Sequence, residues 1–214
     1  MGSEPPIETI AGRRVLFAMA ASPEFGPELQ RRFTPLMVGV GPVEAAINTA
    51  AALEHLRALG RPADLVVSLG SAGSRRLRET EVYQAASVTY RDMDASLLGF
   101  ARGETPFLDL PAAIAVPFRI PGVPAATLST GARIVSGDDY DRVESDMVDM
   151  ESYAVLRAAM RSESAFIGLR GISDGSAPLN GVEDWTRFLH LVDANLAVAV
   201  DRLSVGLVSG AIAL

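Results

Sequence analysis

The sequence predicts an α/β fold built around a parallel or mixed sheet. Two stretches carry this prediction: an apolar strand at 36–40 leads through two glycines into a helix, and an apolar strand at 65–69 runs into the glycine-rich residues 70–74. Strands that alternate with helices through short glycine turns are typical of such sheets. A third observation is the helical spacing of apolar residues over 183–203, which predicts a long amphipathic helix packed on the core.

Length and composition favour one folded domain. The chain has 214 residues, of which 49% are hydrophobic, and a mean hydropathy of +0.24. A chain of this size can bury a full core. We expect a flexible tail over 1–12, which is polar and contains proline, and a single domain over 13–214.

Charge and residue usage exclude several functions. The formal net charge of −7 argues against binding to the phosphate backbone of nucleic acid. No apolar run reaches ~18 residues without a charge or a proline, so we predict no membrane span. The absence of cysteine excludes a thiol nucleophile, and with only His55 and His190 a metal site is poorly supported. We therefore expect a soluble cytoplasmic protein without a bound metal.

The order of elements follows from apolar periodicity and from glycine and proline signals. Pro42 suits the first position of a helix and Gly60 the position after its end. The remaining predicted elements are strands at 15–19, 36–40, 65–69, 81–89, 125–129, 134–136 and 165–172, with helices at 27–33, 154–160 and 183–203. Residues 92–124 are irregular and contain five prolines, which indicates a functional loop or an excursion from the fold.

The residues most indicative of function are Val148 to Tyr153. Asp149 and Glu151 flank Met150 where a helix begins, and either carboxylate could cap that helix or belong to a site. The strand at 165–172 runs directly into Ser173 and Asp174. Because ligands bind at the carboxyl ends of strands in open α/β sheets, we expect these carboxylates to share one pocket.

Five motifs in order resemble the nucleoside phosphorylase superfamily, and most closely its 5′-methylthioadenosine/S-adenosylhomocysteine nucleosidases. They are Gly-Val-Gly-Pro-Val-Glu-Ala-Ala (39–46), Gly-Ser-Ala-Gly (70–73), Val-Ser-Gly-Asp (135–138), Val-Asp-Met-Glu-Ser (148–152) and Gly-Ile-Ser-Asp (171–174). The resemblance covers roughly residues 15–204. It implies a three-layer α/β/α fold with a central mixed, partly barrelled sheet, no cofactor, and a site completed across a homodimer.

The resemblance implies that Asp174 acts as a general acid on adenine N7, held in place by Ser173. Alternatively, Asp174 caps a turn before Gly175. The family activates water with a glutamate at the position that Ser22 holds here. Glu24 is the nearest carboxylate, and it is either the displaced base or a solvated loop charge.

The remaining site assignments also come from the resemblance. Glu151 is expected to accept hydrogen bonds from the ribose hydroxyls, with Met150 against the ribose or, alternatively, in the core. Asp149 shortens by one methylene the glutamate usual there. Ser71, Ala72 and Gly73 are expected to face the sugar and the water. Tyr140 is expected to stack on adenine, or to be a half-buried surface aromatic, and the Asp141 backbone to read the base edge.

The 92–107 segment is similar to the family stretch that enters the neighbouring subunit's pocket. Leu98 and Phe107 would then pack on the 5′-alkylthio group of the substrate. The alternative is a surface loop with ordinary apolar contacts.

The resulting hypothesis is hydrolysis of the N-ribosidic bond of 5′-methylthioadenosine, S-adenosylhomocysteine or both, releasing adenine and a 5-thio-ribose. One alternative is a phosphate-dependent purine nucleoside phosphorylase, for which Arg75 and Arg76 are the nearby cations. Another is a catalytically inactive nucleoside-binding protein. The motifs leave open the preferred base and 5′-substituent.

Overall fold

The computed structural model describes residues 4–214. Its nine strands are β1 (Glu8–Ile10), β2 (Arg13–Met19), β3 (Leu36–Met37), β4 (Leu65–Gly73), β5 (Val82–Tyr90), β6 (Ala113–Ala115), β7 (Ala125–Thr130), β8 (Met147–Asp149) and β9 (Ala165–Asp174). The α-helices are α1 (Pro27–Gln30), α2 (Pro42–Ala58), α3 (Ser152–Arg161), α4 (Val182–Thr186) and α5 (Leu189–Val208).

The strands form one mixed sheet that closes on itself. β4 pairs with β8, β8 with β7, β7 with β5, β5 with β9, and β9 again with β4, so these five strands make a barrel. β2 extends the sheet in parallel beyond β4, with β1 and β3 beside it, and β6 adds to β5. The predicted mixed, partly barrelled sheet is confirmed.

Two apolar clusters on opposite faces of the sheet give the fold its three layers. Along β2, Leu16 and Ala18 face one cluster, in which α2 and α3 pack, while Val15 and Phe17 face the other, in which α5 packs. This alternation is the period of two that strand geometry imposes. Both faces of the central strands are therefore covered, which explains their continuous apolar runs.

Several element boundaries differ from the sequence predictions. Residues 70–73 were expected in a loop but continue β4, where they pair with β9 across an irregularity at Ala72 and Gly73. Residues 134–136 form no strand; the strand is β8, a short segment between turns that carries too few residues for a periodic signal. The helix predicted at 183–203 is two helices, α4 and α5, separated at 187–188.

The folded domain also begins earlier in the chain than the sequence predicted. Residues 8–10 were placed in a flexible tail, but they form β1, which pairs antiparallel with β2. The ordered part of the domain therefore begins before residue 13. The first three residues of that predicted tail lie outside the described residues. Among helices of residues 4–214, none combines the length and apolarity needed to cross a membrane.

Candidate active site

The parallel strands β2, β4 and β9 bring the predicted site residues to one edge of the sheet. In register, Met19 pairs with Leu69, and Gly73 pairs with Asp174. The turn after β2 carries Glu24 to the same edge. β8 pairs with β4 at Gly73, so Asp149 at the end of β8 and Glu151 just after it reach the same edge.

Glu24 is a buried carboxylate that hydrogen-bonds to β4. A 3₁₀ turn over Ser22–Glu24, with Pro23 in its first turn, brings the side chain inward, where it is only 7% exposed. Its Oε1 accepts hydrogen bonds from the amide and the hydroxyl of Ser71, both at 2.7 Å. A Cβ on Gly70 would lie 3.1 Å from Oε1, so glycine allows this close approach. Glu24 is therefore not a solvated loop charge.

Burial raises the pKa of the Glu24 carboxyl, and the two Ser71 hydrogen bonds oppose this rise. Its Oε2 is buried and has no hydrogen-bond partner among the described residues. An unpaired buried carboxylate oxygen is costly, and such atoms call for an explanation. A carboxyl group with a raised pKa and one free oxygen can accept a proton from a bound molecule.

Glu151 turns away from the helix that it precedes. Its Oε1 accepts a hydrogen bond of 2.8 Å from the amide of Gly41, at the start of α2. Gly41 has φ of +91°, a conformation that favours glycine. Burial and the neighbouring Asp149 charge raise the pKa of Glu151 to about 7. The helix-cap alternative does not apply to Glu151, because its side chain makes no cap hydrogen bond to α3.

The Asp149 side chain is hydrogen-bonded to other residues of the protein, contrary to its predicted contact with substrate. Its Oδ1 accepts from the hydroxyl of Thr130 at 2.6 Å, and its Oδ2 accepts from the amide of Ser152 at 2.9 Å. Arg170 donates to Oδ2 through Nε and Nη2, at 3.0 and 2.8 Å. Burial alone would raise the pKa of Asp149, but the Arg170 charge and these hydrogen bonds hold it below its ordinary value. Asp149 thus caps α3 and is the counter-ion of Arg170.

Asp174 ends β9 and faces β4. Its Oδ1 accepts a 2.6 Å hydrogen bond from Ser173, whose predicted contact with Asp174 is therefore present. Its Oδ2 makes no hydrogen bond within residues 4–214 and would lie 2.9 Å from a Cβ on Gly73. Burial raises the pKa of Asp174. Because the carboxylate accepts no amide of the following turn, the capping alternative does not hold.

Tyr140 lies between Gly73 and Arg75. Its side chain is buried, and a Cβ on Gly73 would overlap its hydroxyl, which has no hydrogen-bond partner among the described residues. Arg75 lies over the ring, 5.5 Å from its centroid, and forms an ion pair with Asp141 at 2.5 Å. Burial and the Asp174 charge raise the pKa of Tyr140. Tyr140 is therefore not a half-buried surface aromatic, and it borders the general-acid candidate directly.

The other residues predicted to contact the substrate lie in different environments. Met150 is half-buried and belongs to neither large core cluster. Ala72 is buried in the core and can offer only backbone groups to a ligand. Leu98 and Phe107 are 75% and 92% exposed, so most of each side chain lies outside the core of this chain. Their predicted role concerns a second subunit.

Three further residues belong to the site but were not predicted as site residues: Gly41, Arg170 and Trp185. The Nε1 of Trp185 donates to the hydroxyl of Ser71 at 2.9 Å. Arg170 also donates to the hydroxyls of Ser68 and Ser152. An arginine inside an otherwise apolar strand was the one sequence signal that could have identified Arg170, because a buried guanidinium requires a counter-ion.

The arrangement suits proton transfer to and from a bound molecule. Glu24 and Asp174 each have a raised pKa and a free carboxylate oxygen, and they lie on different elements of one edge. A raised pKa makes a carboxyl group a better general acid or base. Among residues 4–214, no group of three or more His, Asp or Glu side chains is placed to hold a metal ion.

Comparisons with known proteins agree with this description. No family model matches the chain. A curated relative from Geobacillus kaustophilus, named 5′-methylthioadenosine/S-adenosylhomocysteine nucleosidase, is 29% identical over 168 residues, which are 69% of this chain and 68% of the relative.

Solved structures share the fold over nearly the whole chain. A nucleosidase of the same name from Colwellia psychrerythraea, in complex with adenine, has a TM-score of 0.75 and 19% identity, and the match covers 94% of this chain and 97% of that one. The Neisseria meningitidis nucleosidase, in complex with methylthio-immucillin-A, has a TM-score of 0.71 and 24% identity, with 88% and 97% covered.

The five-stranded barrel between helical layers is a nucleoside phosphorylase-like α/β fold. The curated relatives and the two solved structures described above are named 5′-methylthioadenosine/S-adenosylhomocysteine nucleosidases. The resemblance predicted from the five sequence motifs is confirmed.

Proposed function

We propose that this chain is an N-glycosyl hydrolase that cleaves the N-ribosidic bond of 5′-methylthioadenosine, S-adenosylhomocysteine or both. The observation that carries the proposal is the meeting of Glu24, Glu151 and Asp174 at one sheet edge, each with a raised pKa. The names of the homologues support the substrate class. The products are adenine and a 5-thio-ribose.

In the proposed reaction, Asp174 donates its proton to adenine N7 as the bond between C1′ and N9 breaks. Its raised pKa keeps a larger fraction of the carboxyl protonated at neutral pH. A water molecule attacks C1′ and gives one proton to Glu24, whose Oε2 is free to accept it. Proton transfer from Glu24 back to Asp174 through solvent resets the site, so one water is consumed per turnover.

Glu151 is proposed to bind the ribose hydroxyls, with Met150 beside the sugar. Gly41 holds one carboxylate oxygen of Glu151, which leaves the other for the ligand. A negative charge below the ribose also stabilises the oxocarbenium-like transition state of glycosidic cleavage. Asp149 is proposed to position these groups through Arg170 rather than to touch the substrate.

The base is proposed to lie beside Asp174, with Tyr140 stacked on it and the Asp141 backbone along its edge. Gly73 leaves room for a ring at this point, because any side chain there would meet Asp174 and Tyr140. The Tyr140 hydroxyl borders Gly73, so binding of adenine at this place is proposed to require a shift of the tyrosine ring.

The fixed cations favour hydrolysis over phosphorolysis. A phosphate site needs guanidinium or ammonium groups that are free to bind it. Arg75 is engaged by Asp141 and by the carbonyl of Gly137, and Arg76 donates to the carbonyls of Val143 and Glu144. Both arginines hold the 137–146 segment in place. The alternative of an inactive binding protein is disfavoured by the inward position of Glu24.

The test is adenine release from both substrates, with and without added phosphate. We expect release that does not depend on phosphate, with free 5-thio-ribose as the sugar product. A sugar 1-phosphate formed only with phosphate would overturn the hydrolase assignment. Tight ligand binding without any release would support the inactive binding protein instead.

We also propose a homodimer in which residues 92–107 complete the neighbouring site. Leu97, Leu98 and Phe107 are between 75% and 101% exposed. On the same chain, α2 and α3 line an open groove of about 780 Å³ with exposed Val43 and Ile47. Exposed apolar surface of this extent is typical of subunit interfaces. The cytoplasmic location stays a prediction.

Mixed dimers test the shared site. Phe107→Ala should raise KM, whereas Asp174→Asn should reduce turnover roughly 10²–10⁴-fold. Mixing the two variants and allowing exchange should restore activity, since the Asp174→Asn chain supplies an intact segment to the other chain's intact carboxylates. Mixtures no more active than the separate proteins, although exchange is seen, would contradict the proposal. Ile47→Asp should give a monomer by light scattering.

A further inference from the structure

The only tryptophan of the chain is hydrogen-bonded to the site. Trp185 lies on α4, a short helix that follows the loop after β9, and its side chain is half-buried. Its Nε1–H donates to the hydroxyl oxygen of Ser71 at 2.9 Å, across 114 residues of chain. Ser71 in turn contacts Glu24, so Trp185 is connected to the candidate base through a single intervening residue, Ser71.

The direction of these hydrogen bonds follows from the groups involved. An indole N–H can only donate, and a serine hydroxyl has one proton. Because Trp185 occupies a lone pair of Ser71, the hydroxyl proton is directed to Glu24 Oε1, 2.7 Å away. The Ser71 amide donates to the same oxygen, also at 2.7 Å. Oε1 therefore receives two hydrogen bonds, and the buried Oε2 receives none from residues 4–214.

We propose that Trp185 is a positioning residue for Glu24, acting through Ser71. It holds the Ser71 hydroxyl so that Oε1 of Glu24 is the anchored oxygen, which leaves Oε2 to accept the proton of the attacking water. The inference rests on the proposed function in one respect, namely that Glu24 is the base in hydrolysis. The hydrogen-bonded chain itself does not depend on that assignment.

The charged groups around Glu24 also shift its pKa, and the effect of the Ser71 hydrogen bond is added to theirs. Arg170 on β9 lowers the pKa of Glu24, and Asp149 at the end of β8 raises it. Glu151, just before α3, also interacts with Glu24, since the Glu24 charge raises the pKa of Glu151. Hydrogen bonds to the charged form lower the pKa of a carboxyl group. Loss of the ordered Ser71 hydroxyl should therefore raise the pKa of Glu24 and leave less of the ionised base at neutral pH.

A purely structural role for Trp185 makes a different prediction. The ring could simply pack α4 against the sheet, in which case Phe would replace it without consequence for Glu24. Trp185→Phe keeps an aromatic ring but removes the N–H donor, together with the second ring of the indole. Thr186→Ala is the matched control on the same helix, because the Thr186 hydroxyl bonds only to carbonyls of α4, at Val182 and Glu183.

The first experiment needs no turnover. Because the chain has one tryptophan, its emission reports this position alone, and we expect a pH-dependent change that follows ionisation of Glu24. The change should vanish in Glu24→Gln and persist in Thr186→Ala. Four other ionisable side chains lie near the indole in sequence: Glu183, Asp184, Arg187 and His190. An unchanged titration in Glu24→Gln would assign the signal to those groups and overturn the proposed link.

The second experiment is the pH dependence of adenine release. In Trp185→Phe, we expect the acidic limb of kcat/KM to move to higher pH and kcat at neutral pH to fall about tenfold, which is the effect of one hydrogen bond. Thr186→Ala should match the unmodified protein. An unshifted limb with only a higher KM would show that Trp185 merely packs.

The two experiments separate failure of this inference from failure of the proposed function. If the unmodified protein releases no adenine but its emission follows Glu24, the hydrolase assignment fails while the link between Trp185 and Glu24 stands. If adenine is released and neither the emission nor the acidic limb responds as described, the positioning role of Trp185 is wrong and the hydrolase assignment stands.

Discussion

Arg170 donates two hydrogen bonds to Oδ2 of Asp149, at 3.0 and 2.8 Å, and neither side chain has appreciable exposure to solvent. The guanidinium also binds the carbonyls of Ser68 and Leu169 and the hydroxyls of Ser68 and Ser152. This network ties β4, β8 and β9 together directly behind the carboxylates of the site. A change in this network should therefore affect both the stability of the protein and the proposed activity.

Removing one partner of this pair should be strongly destabilising. Asp149→Asn leaves the Arg170 charge buried without a counter-ion, for which we expect a loss of about 3–5 kcal/mol in unfolding free energy. Arg170→Met should cost a similar amount, and the double variant should cost less than the sum of the two. Chemical denaturation measures all three.

The control for that prediction is an exposed ion pair. The Arg78 side chain, which pairs with Glu81, is 84% exposed. For Arg78→Gln we therefore expect the unfolding free energy to change by only about 0–1 kcal/mol. Additive effects in the double variant of Asp149 and Arg170 would argue against direct coupling of the two charges.

Asp174→Asn should reduce turnover much more than ligand binding. The amide cannot protonate the leaving base, and a general acid contributes roughly 10²–10⁴-fold to a rate. Adenine release gives kcat, and calorimetry with a non-hydrolysable substrate analogue gives the affinity. Asp201→Asn on α5, from an ion pair with Arg32 remote from the site, is the control. Loss of affinity as large as the loss of kcat would contradict a role as the acid.

The stability of the protein should fall as pH rises from about 5 to about 7. The folded-state pKa of Glu151 is raised from 4.5 to about 7, so the folded state holds this proton more tightly than the unfolded state does. The resulting stabilisation is present below the unfolded pKa and is lost as pH rises through the folded pKa. Asp149 does not contribute to this slope, because its lowered pKa leaves it ionised throughout the range.

Glu151→Gln should flatten that pH dependence. At pH 8 it removes the cost of ionising a buried carboxyl, so we expect a gain of up to about 3 kcal/mol relative to the unmodified protein, together with loss of the proposed activity. Thermal unfolding between pH 5 and 8 measures the slope in both proteins. Parallel curves would mean that Glu151 does not titrate in this range.

Gly73→Ala should damage the site through one methyl group. The added Cβ would lie 2.9 Å from Oδ2 of Asp174 and overlap the hydroxyl of Tyr140, so one of them must move. We expect a loss of about 1–3 kcal/mol in stability and a large fall in kcat/KM. Gly181→Ala is the control, because nothing lies within 4 Å of its Cβ position. Equal behaviour of the two variants would place Gly73 outside the site.

Local patterns in the chain predicted most of the architecture. The start of α2 at Pro42 and the apolar runs of β2, β4 and β9 were identified because helix signals and buried strands leave a local trace. The three-residue strands β1, β6 and β8 were missed, since so few residues carry no periodicity. α4 and α5 were joined in the prediction because apolar spacing continues across the break at 187–188.

The sequence by itself determined which acidic residues stand at strand ends and helix starts, and so which carboxylates could meet. Only the tertiary structure decided what each one does. Glu24 turned out to be anchored by Ser71, Asp149 to be the counter-ion of Arg170, and Glu151 to be held by Gly41, a residue 110 positions away. The physical reason is that burial and partners distant in sequence determine the pKa of a carboxylate and which of its oxygens stays free to bind a ligand. Neither can be predicted from the residues next to that carboxylate in the chain.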